Sequence, residues 1–136
     1  MLDQLLTFQK EFDITYEENK IEALMIFGKN VINNPALRQS ENKVPGCISE
    51  TYIAADCIDG KMKYKGYSEE LPIRGCVYIL TQALSGLTPQ EVIAAEPAIT
   101  DFLKKTNITA HMFYMQANSF DNIYAFMKEK AKTYQQ

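Results

Sequence analysis

The run SETYIAADCIDGKMKYK occupies residues 49–65 and predicts a β-hairpin. Its first half, from Ser49 to Cys57, is rich in β-branched and aromatic side chains, which favour a strand. The dipeptide Asp59-Gly60 follows, and this pair suits a two-residue hairpin turn in which both positions take a positive φ angle. We therefore expect a second strand over residues 61–65, paired antiparallel with the first.

The second strand alternates between apolar and charged side chains. Met62 and Tyr64 would face one way, and the other face would receive three lysines: Lys61, Lys63 and Lys65. Such alternation is typical of an antiparallel sheet with one face in water and the other in the core. The apolar face then needs helices to cover it.

Two helices are predicted before the hairpin. The apolar residues of the first are Leu2, Leu5, Leu6 and Phe12. Thr15-Tyr16-Glu17-Glu18 has the pattern of a capping box, which would start the second helix. The stripe that this helix turns to the core would be Ile21, Leu24, Met25 and Gly28. Asn33-Asn34-Pro35 would end the helix, and residues 33–46 would form a polar loop.

A third helix is predicted directly after the hairpin. Ser68 would cap it, and Glu69 and Glu70 in its first turn would complement the helix dipole. The buried stripe of this helix would be Ile73, Cys76, Val77 and Leu80. Ser85-Gly86 would end it.

The remaining chain predicts further helices, which makes the fold class α+β. Thr88-Pro89-Gln90-Glu91 has a hydroxyl cap, a proline at the first position and a carboxylate at the third, so a helix starts there. Another short helix follows Pro97, and residues 107–118 are irregular. The stripe of a closing helix would be Phe120, Ile123, Met127 and Tyr134.

Length and composition indicate one domain spanning residues 1–136. A chain of 136 residues with 46% hydrophobic content can fill a core. The net charge of -3 and pI near 5.2 provide no basic field, so no nucleic-acid partner is expected. The N-terminus lacks a basic segment before an apolar run, and no apolar run reaches the ~18 residues of a membrane span. We therefore expect a cytoplasmic protein without membrane attachment.

The three cysteines are Cys47, Cys57 and Cys76, and the absence of a Cys-x-x-Cys pair suits a reducing compartment. Val44-Pro45-Gly46-Cys47 places the first of them at a turn that would expose its thiol. Backbone N–H groups and a cation such as Lys43 or Arg74 would ionise much of this thiol if they lowered its pKa to about 7. Alternatively, Cys47 is only a small residue in a tight turn.

The other potential ligands and nucleophiles have structural explanations. Cys76 lies on an apolar helix stripe and is expected to pack in the core. Cys57 near the hairpin tip has no activating neighbour and is expected to be a filler. His111 is the only histidine, and its spacing from the cysteines is too wide for a zinc site, so we expect a structural or surface histidine and no metal. The glutamates are explained as helix starters, so paired acid/base catalysis is not indicated.

The segment Glu41-Asn42-Lys43-Val44-Pro45-Gly46-Cys47-Ile48-Ser49 resembles the sulfur-acceptor loop of SufE proteins, the partners of pyridoxal-phosphate cysteine desulfurases. Other segments match that family in order and approximate spacing: Tyr16-Glu17-Glu18 through Gly28, Arg74-Gly75, Gly86-Leu87-Thr88-Pro89-Gln90-Glu91, and His111 followed by the last helix. The resemblance covers nearly the whole chain, and the cysteine loop is its specific part.

The resemblance implies a small antiparallel sheet, usually of three strands, packed by N- and C-terminal helices as in the IscU scaffold. The residue pattern alone yields two strands. The resemblance also implies that Cys47 accepts sulfur as a persulfide, with supporting roles for Gly46, Ser49 and Arg74. Such a protein is an accessory sulfur-transfer protein rather than an enzyme, and it needs no bound cofactor. Its partners would be a cysteine desulfurase and an iron-sulfur scaffold that receives the sulfur, and it would be a monomer or weak homodimer.

Three positions depart from the family pattern. Tyr52 stands where a tryptophan is usual, Tyr67 where an aspartate is usual, and Gln116 where an arginine is typical. Gln116 cannot supply the charge and the fixed fork of donors of an arginine. We expect these departures to affect the partner or the delivery step rather than the fold.

Two alternatives to a sulfur carrier follow from the same residues. The departures at Tyr52, Tyr67 and Gln116 are compatible with a module that docks on a desulfurase and regulates it without carrying sulfur. An IscU-like metal or cluster scaffold would use all three cysteines. The predicted core position of Cys76 argues against the scaffold.

Overall fold

The computed structural model of this chain describes residues 2–113 and 116–135 and has the predicted α+β fold. The α-helices are α1 (Asp3–Asp13), α2 (Lys20–Gly28), α3 (Leu71–Leu84), α4 (Pro89–Ile93), α5 (Glu96–Thr106) and α6 (Ser119–Lys132). The strands are β1 (Thr51–Ile58) and β2 (Lys61–Ser68). Single turns of 3-10 helix lie at Glu17–Asn19, Pro35–Leu37, Ser40–Asn42 and Ile108–His111.

The hairpin has the predicted turn. Ile58 pairs with Lys61, and Asp59 and Gly60 between them have φ angles of 54° and 77°. Both angles lie in the left-handed region that the two-residue turn requires, which confirms the prediction from the Asp-Gly dipeptide. The second strand continues to Ser68, beyond the predicted end. Its alternation is also confirmed, because Met62 and Tyr64 are buried whereas the three intervening lysines are exposed.

The described sheet has two strands, as the residue pattern predicts, whereas the family resemblance implies about three. Lys43 forms an isolated antiparallel bridge with Tyr52, and the Val44 N–H donates to the carbonyl of Thr51 at 2.8 Å. This pairing cannot extend into a third strand. The 3-10 turn at Ser40–Asn42 precedes it, and Pro45, which has no N–H to donate, follows it.

The predicted cap at Ser68 is wrong. Ser68 is the last residue of β2, and its hydroxyl lies 3.0 Å from the Thr51 hydroxyl on the neighbouring strand. The cross-strand hydrogen bond therefore uses the group that a helix cap would need. The third helix begins at Leu71, so Glu69 and Glu70 precede it instead of forming its first turn.

The predicted capping box at residues 15–18 is also wrong. The Thr15 hydroxyl donates back to the carbonyl of Glu11 at 2.6 Å, and the Glu17 carboxylate binds Lys20. A 3-10 turn follows, and α2 begins only at Lys20. This helix ends at Gly28, well before the predicted stop at residues 33–35.

Several other predictions need partial correction. The segment 33–46 is not wholly polar and irregular, because it contains two 3-10 turns and buries Leu37 and Val44. Tyr134, predicted on the buried stripe of the closing helix, lies beyond the end of that helix and is 38% exposed. The rest of that stripe is buried as predicted, and Thr88 and Glu91 form the predicted reciprocal capping box.

Helix α3 lies at the centre of the core. Its predicted stripe is fully buried: Ile73, Cys76, Val77 and Leu80. The core continues to both ends of the chain, through Phe8 and Phe12 of α1 and Phe120 of α6. None of the helices in the described ranges has the length and apolar composition that crossing a bilayer requires.

Candidate functional site

The cysteine loop, residues 44–48, begins at a buried valine and turns at a glycine just before Cys47. Val44 is 2% exposed and fixes the start of the loop against the core. Gly46 has a φ angle of +83°, a conformation that residues with a Cβ atom adopt at a cost. The carbonyl of Gly46 accepts a hydrogen bond of 3.2 Å from the side-chain amide of Asn122 on α6. The loop therefore turns at Gly46 and presents Cys47 next to the start of this helix.

Cys47 is half-buried, and its side chain packs against the main core. Burial raises the pKa of the Cys47 thiol, and hydrogen bonds from the hydroxyls of Thr51 and Ser119 partly oppose this shift. The condition for a strongly ionised thiol, a pKa lowered by a nearby cation, is therefore not met in this conformation. Neither Lys43 nor Arg74 is among the described groups that shift this pKa. Burial therefore disfavours the thiolate of Cys47 in this resting conformation.

Arg74 lies near the start of α3 and is bound to other groups. Its Nε donates to the carbonyl of Ser68 at 2.9 Å, and its Nη2 donates to the carbonyl of Glu69 at 3.3 Å. The Ser68 hydroxyl is hydrogen-bonded to the Thr51 hydroxyl, so Arg74 is linked to the cysteine site indirectly, through the end of β2. Ser49 takes part through its carbonyl, which accepts from the Thr51 hydroxyl at 3.1 Å.

The departures at Tyr52 and Tyr67 form one structural unit. The two tyrosines are directly opposite each other in the hairpin, and both are buried with Leu37 in a small second cluster. The guanidinium carbons of Arg74 and Arg38 lie 4.4 and 5.5 Å from the centre of the Tyr67 ring. The aromatic face of Tyr67 therefore contacts both guanidinium groups, whereas the aspartate usual at this position would offer them a carboxylate.

Gln116, the third departure, lies in the segment before α6. It is half-buried, and its backbone N–H donates to the carbonyl of Phe113 at 2.8 Å. Phe113 itself is one of the most exposed large apolar side chains described, at 79%.

The other two cysteines have the positions that the sequence predicts. Cys76 is completely buried in α3, where burial raises the pKa of its thiol to about 12 and the nearby Cys47 adds to the shift. Cys57 is half-buried and packs against the core from β1. Across residues 2–113 and 116–135, no three histidine, cysteine, aspartate or glutamate side chains gather in a group that could hold a metal ion.

His111 has a structural partner, in line with its predicted role. Its Nε2 lies 2.5 Å from Glu17 Oε2, and Lys20 Nζ donates to Glu17 Oε1 at 2.8 Å. Lys20 is nearly buried and also donates to the carbonyl of Thr106 at 2.6 Å. Glu17 therefore joins the turn before α2 to the segments after α5.

This network predicts a pH-dependent contribution to stability. Hydrogen bonds from Lys20 and then from His111 lower the pKa of Glu17 from its ordinary value of 4.5 to about 2. A carboxylate with a depressed pKa stabilises the fold above its unfolded-state pKa, and the contribution is lost as the pH falls through the folded-state value. Glu17→Gln should therefore reduce the free energy of unfolding most above pH 4.5, and the difference from wild type should shrink between pH 4.5 and about 2. Urea unfolding across this range measures the difference, and a difference independent of pH would contradict it.

Sequence reasoning missed the residues that surround the cysteine. The sequence pattern predicts Thr51 in a strand but gives it no role at the site, and it does not single out Ser119 or Asn122. Both residues of α6 are far from Cys47 along the chain, so no local spacing relates them to the loop. Ile48, directly after the cysteine, is 60% exposed and gives the site an apolar outer rim.

A solved structure has the same fold. The solution structure of a hypothetical protein from Thermus thermophilus is similar with a TM-score of 0.75, covering 96% of this chain and 94% of that one. The two sequences are 15% identical, so this likeness shows the fold alone.

Two curated relatives are more similar in sequence. An uncharacterized SufE-like protein of Synechocystis is 36% identical over 133 residues, which cover 98% of this chain and 70% of that protein. The cysteine desulfuration protein SufE of Plasmodium falciparum is 30% identical over 110 residues, which cover 76% of this chain and 43% of the longer protein.

The family profile described as "SufE: Fe-S metabolism associated domain" matches residues 7–131. The match includes the cysteine loop and Asn122 of α6, whose side chain contacts it. With a match over most of the chain, this protein belongs to the SufE family of Fe-S metabolism associated domains.

Proposed function

We propose that this chain is a sulfur carrier in which Cys47 accepts sulfane sulfur from a cysteine desulfurase as a persulfide and delivers it to iron-sulfur cluster assembly. The observation that carries the proposal is the placement of Cys47 after a glycine turn, half-exposed at the surface of a SufE-family fold. Cys76 is inaccessible, and Cys57 has no comparable turn. In this proposal residues 1–136 act as one domain.

The transfer step needs no external oxidant or reductant. The thiolate of Cys47 attacks the outer sulfur of a persulfide on the desulfurase, and a new S–S bond forms as the donor's S–S bond breaks. The donor cysteine leaves as a thiolate, so one sulfane sulfur has moved and the number of S–S bonds is unchanged. The proton of the Cys47 thiol passes to solvent or to the donor site. The pyridoxal phosphate that releases sulfur from cysteine belongs to the desulfurase.

The burial of Cys47 supports a carrier that protects its cargo. A persulfide is readily oxidised or reduced, and apolar surroundings limit access by small reagents. The attacking sulfur must nevertheless become a thiolate and reach the donor. We infer that docking moves residues 45–48 outward, because the anchor at Val44 is firm while Pro45 and Ile48 are exposed.

A regulatory module remains the second candidate, and one observation favours it. Cys47 is half-buried, and burial disfavours its thiolate, which a protein that only docks on a desulfurase would tolerate. Removing the cysteine separates the two functions, because regulation by docking does not need the sulfur atom.

The test is the turnover of a cysteine desulfurase in the presence of excess wild type, Cys47→Ser or Cys57→Ser. As a carrier, wild type should stimulate release of alanine from cysteine by clearing the donor persulfide. Cys57→Ser should stimulate equally, whereas Cys47→Ser should not stimulate at all. Full stimulation by Cys47→Ser would overturn the carrier and favour the regulatory module.

A further inference from the structure

We propose that the outer face of the β1–β2 hairpin binds an acidic, extended segment of a partner protein, whose carboxylates at alternate positions meet Lys61, Lys63 and Lys65. The outer face is the face of the hairpin turned away from the main core, and every second residue of each strand belongs to it. The inference goes beyond the proposed function and does not depend on the chemistry of Cys47.

The three lysines form a regular row. They alternate along β2 with the buried Met62 and Tyr64, so all three project from the same face, and each of them is exposed. Neighbouring lysines of the row are separated by two residues, which is about 7 Å along a strand. Acidic side chains at alternate positions of an extended peptide have the same spacing. One such peptide can therefore place a carboxylate beside each lysine.

The charge of this row is not used within the described chain. Across residues 2–113 and 116–135, no carboxylate forms an ion pair with any of the three lysines. Asp56 is directly opposite Lys63 in the hairpin, but its Oδ1 accepts a hydrogen bond of 2.9 Å from the N–H of Cys57. The row is therefore a local positive patch on a chain whose net charge is -3.

A groove lies beside the lysine row. Two cavities of about 350 and 400 Å³ share Asn34, Leu37 and Lys65 in their walls, so they form one continuous depression. The larger cavity is also lined by Ala54 and Ile58 of β1. Ile58 is 50% exposed near the tip of the hairpin. The groove therefore offers apolar surface next to the positive charges, which suits a peptide that carries both apolar and acidic side chains.

A protein segment fits this face better than a nucleic acid or a membrane. Nucleic acids and anionic membranes bind broad basic surfaces through many cations, whereas this patch has three lysines on an acidic chain. A short row with a fixed spacing instead selects where each opposite charge must lie. Cys47 packs against the core on the other face of the hairpin, together with Ile53 and Met62. An extended segment bound to the outer face therefore need not cover the cysteine.

The test is an NMR titration of the isotope-labelled full chain with the peptide Glu-Val-Glu-Val-Glu at low salt, which reports both the affinity and the residues contacted. Shifts should be concentrated in the hairpin and at residues 34–37. The triple variant Lys61→Gln, Lys63→Gln and Lys65→Gln should bind about tenfold more weakly, as the loss of three exposed charge pairs predicts. The peptide Val-Glu-Glu-Glu-Val has the same composition and should bind several-fold more weakly, because successive carboxylates of an extended chain point to opposite sides.

The matched control is the triple variant Lys10→Gln, Lys29→Gln and Lys104→Gln, which removes the same charge from three exposed lysines outside the hairpin. It should weaken binding by less than about twofold, because distant charges are screened. Equal weakening in the two triple variants, equal affinity for the two peptides, or no binding at millimolar peptide would overturn the proposal. Binding of phosphatidylserine vesicles through the hairpin lysines, without binding of the peptide, would overturn it in favour of a membrane. Failure of sulfur uptake would count against the carrier function alone, since this titration involves no sulfur transfer.

Discussion

Gly75→Ala is expected to lower the free energy of unfolding by about 3 kcal/mol or more, because α2 and α3 cross at this residue without space for a methyl group. A Cβ atom at Gly75 would lie 2.1 Å from the carbonyl oxygen and 2.8 Å from the carbonyl carbon of Leu24. Gly28 faces the same crossing, where a Cβ atom would lie 2.7 Å from the carbonyl oxygen of Leu71. Backbone atoms cannot rotate away as a side chain can, so the helices would have to separate.

Urea unfolding measures this loss, and Gly60→Ala is the matched control. Gly60 has a φ angle of 77°, and no atom lies within 4 Å of the place that a Cβ atom would take, so alanine there meets backbone strain without a clash. We expect that control to lose only about 1 kcal/mol. Equal losses in the two variants would contradict the close helix crossing.

Cys47→Ser is expected to abolish uptake of sulfur completely while changing the free energy of unfolding by less than about 1 kcal/mol. Serine is close to cysteine in shape, so the loop should keep its turn at Gly46 and its hydrogen bond to Asn122. The hydroxyl is, however, a weak nucleophile at neutral pH and cannot hold a persulfide. Labelled sulfur from cysteine, transferred by a desulfurase and counted on the re-isolated protein, measures the uptake.

Cys57→Ser is the matched control for uptake, because Cys57 is also half-buried and packs against the same core. This variant should take up as much label as wild type. If Cys47→Ser retained the label and Cys57→Ser lost it, the acceptor would be Cys57 in the hairpin and not Cys47. Urea unfolding of both variants shows that any loss of label is not a loss of fold.

The fold is most predictable where local chemistry determines it. Asp59-Gly60 specifies the hairpin turn because few dipeptides accept two positive φ angles. Thr88 and Glu91 cap the start of their own helix with reciprocal hydrogen bonds between side chain and backbone. The caps predicted at Thr15 and Ser68 are wrong because other partners take those groups. The Ser68 hydroxyl bonds across the hairpin to Thr51, and no local sequence pattern indicates that this partner takes the place of the helix start.

The candidate site is predictable only in part for the same reason. Cys47 stands out because Pro45 and Gly46 impose a turn before it, and the family resemblance then gives it a role. Its surroundings include α6, which is far from the loop along the chain and meets it only in the folded structure. The sequence could not show whether Arg74 meets the cysteine, because the contacts of Arg74 with Tyr67 and with the end of β2 depend on the tertiary fold.

The central claim, that Cys47 carries sulfur as a persulfide, is tested most directly by intact mass after incubation with a cysteine desulfurase and cysteine. Wild type should gain about 32 Da, the mass of one sulfur atom, and peptide mapping after alkylation should place it on Cys47. Cys47→Ser treated in parallel should gain nothing. No gain in wild type with a desulfurase that is active on cysteine, or an equal gain in Cys47→Ser, would contradict the account.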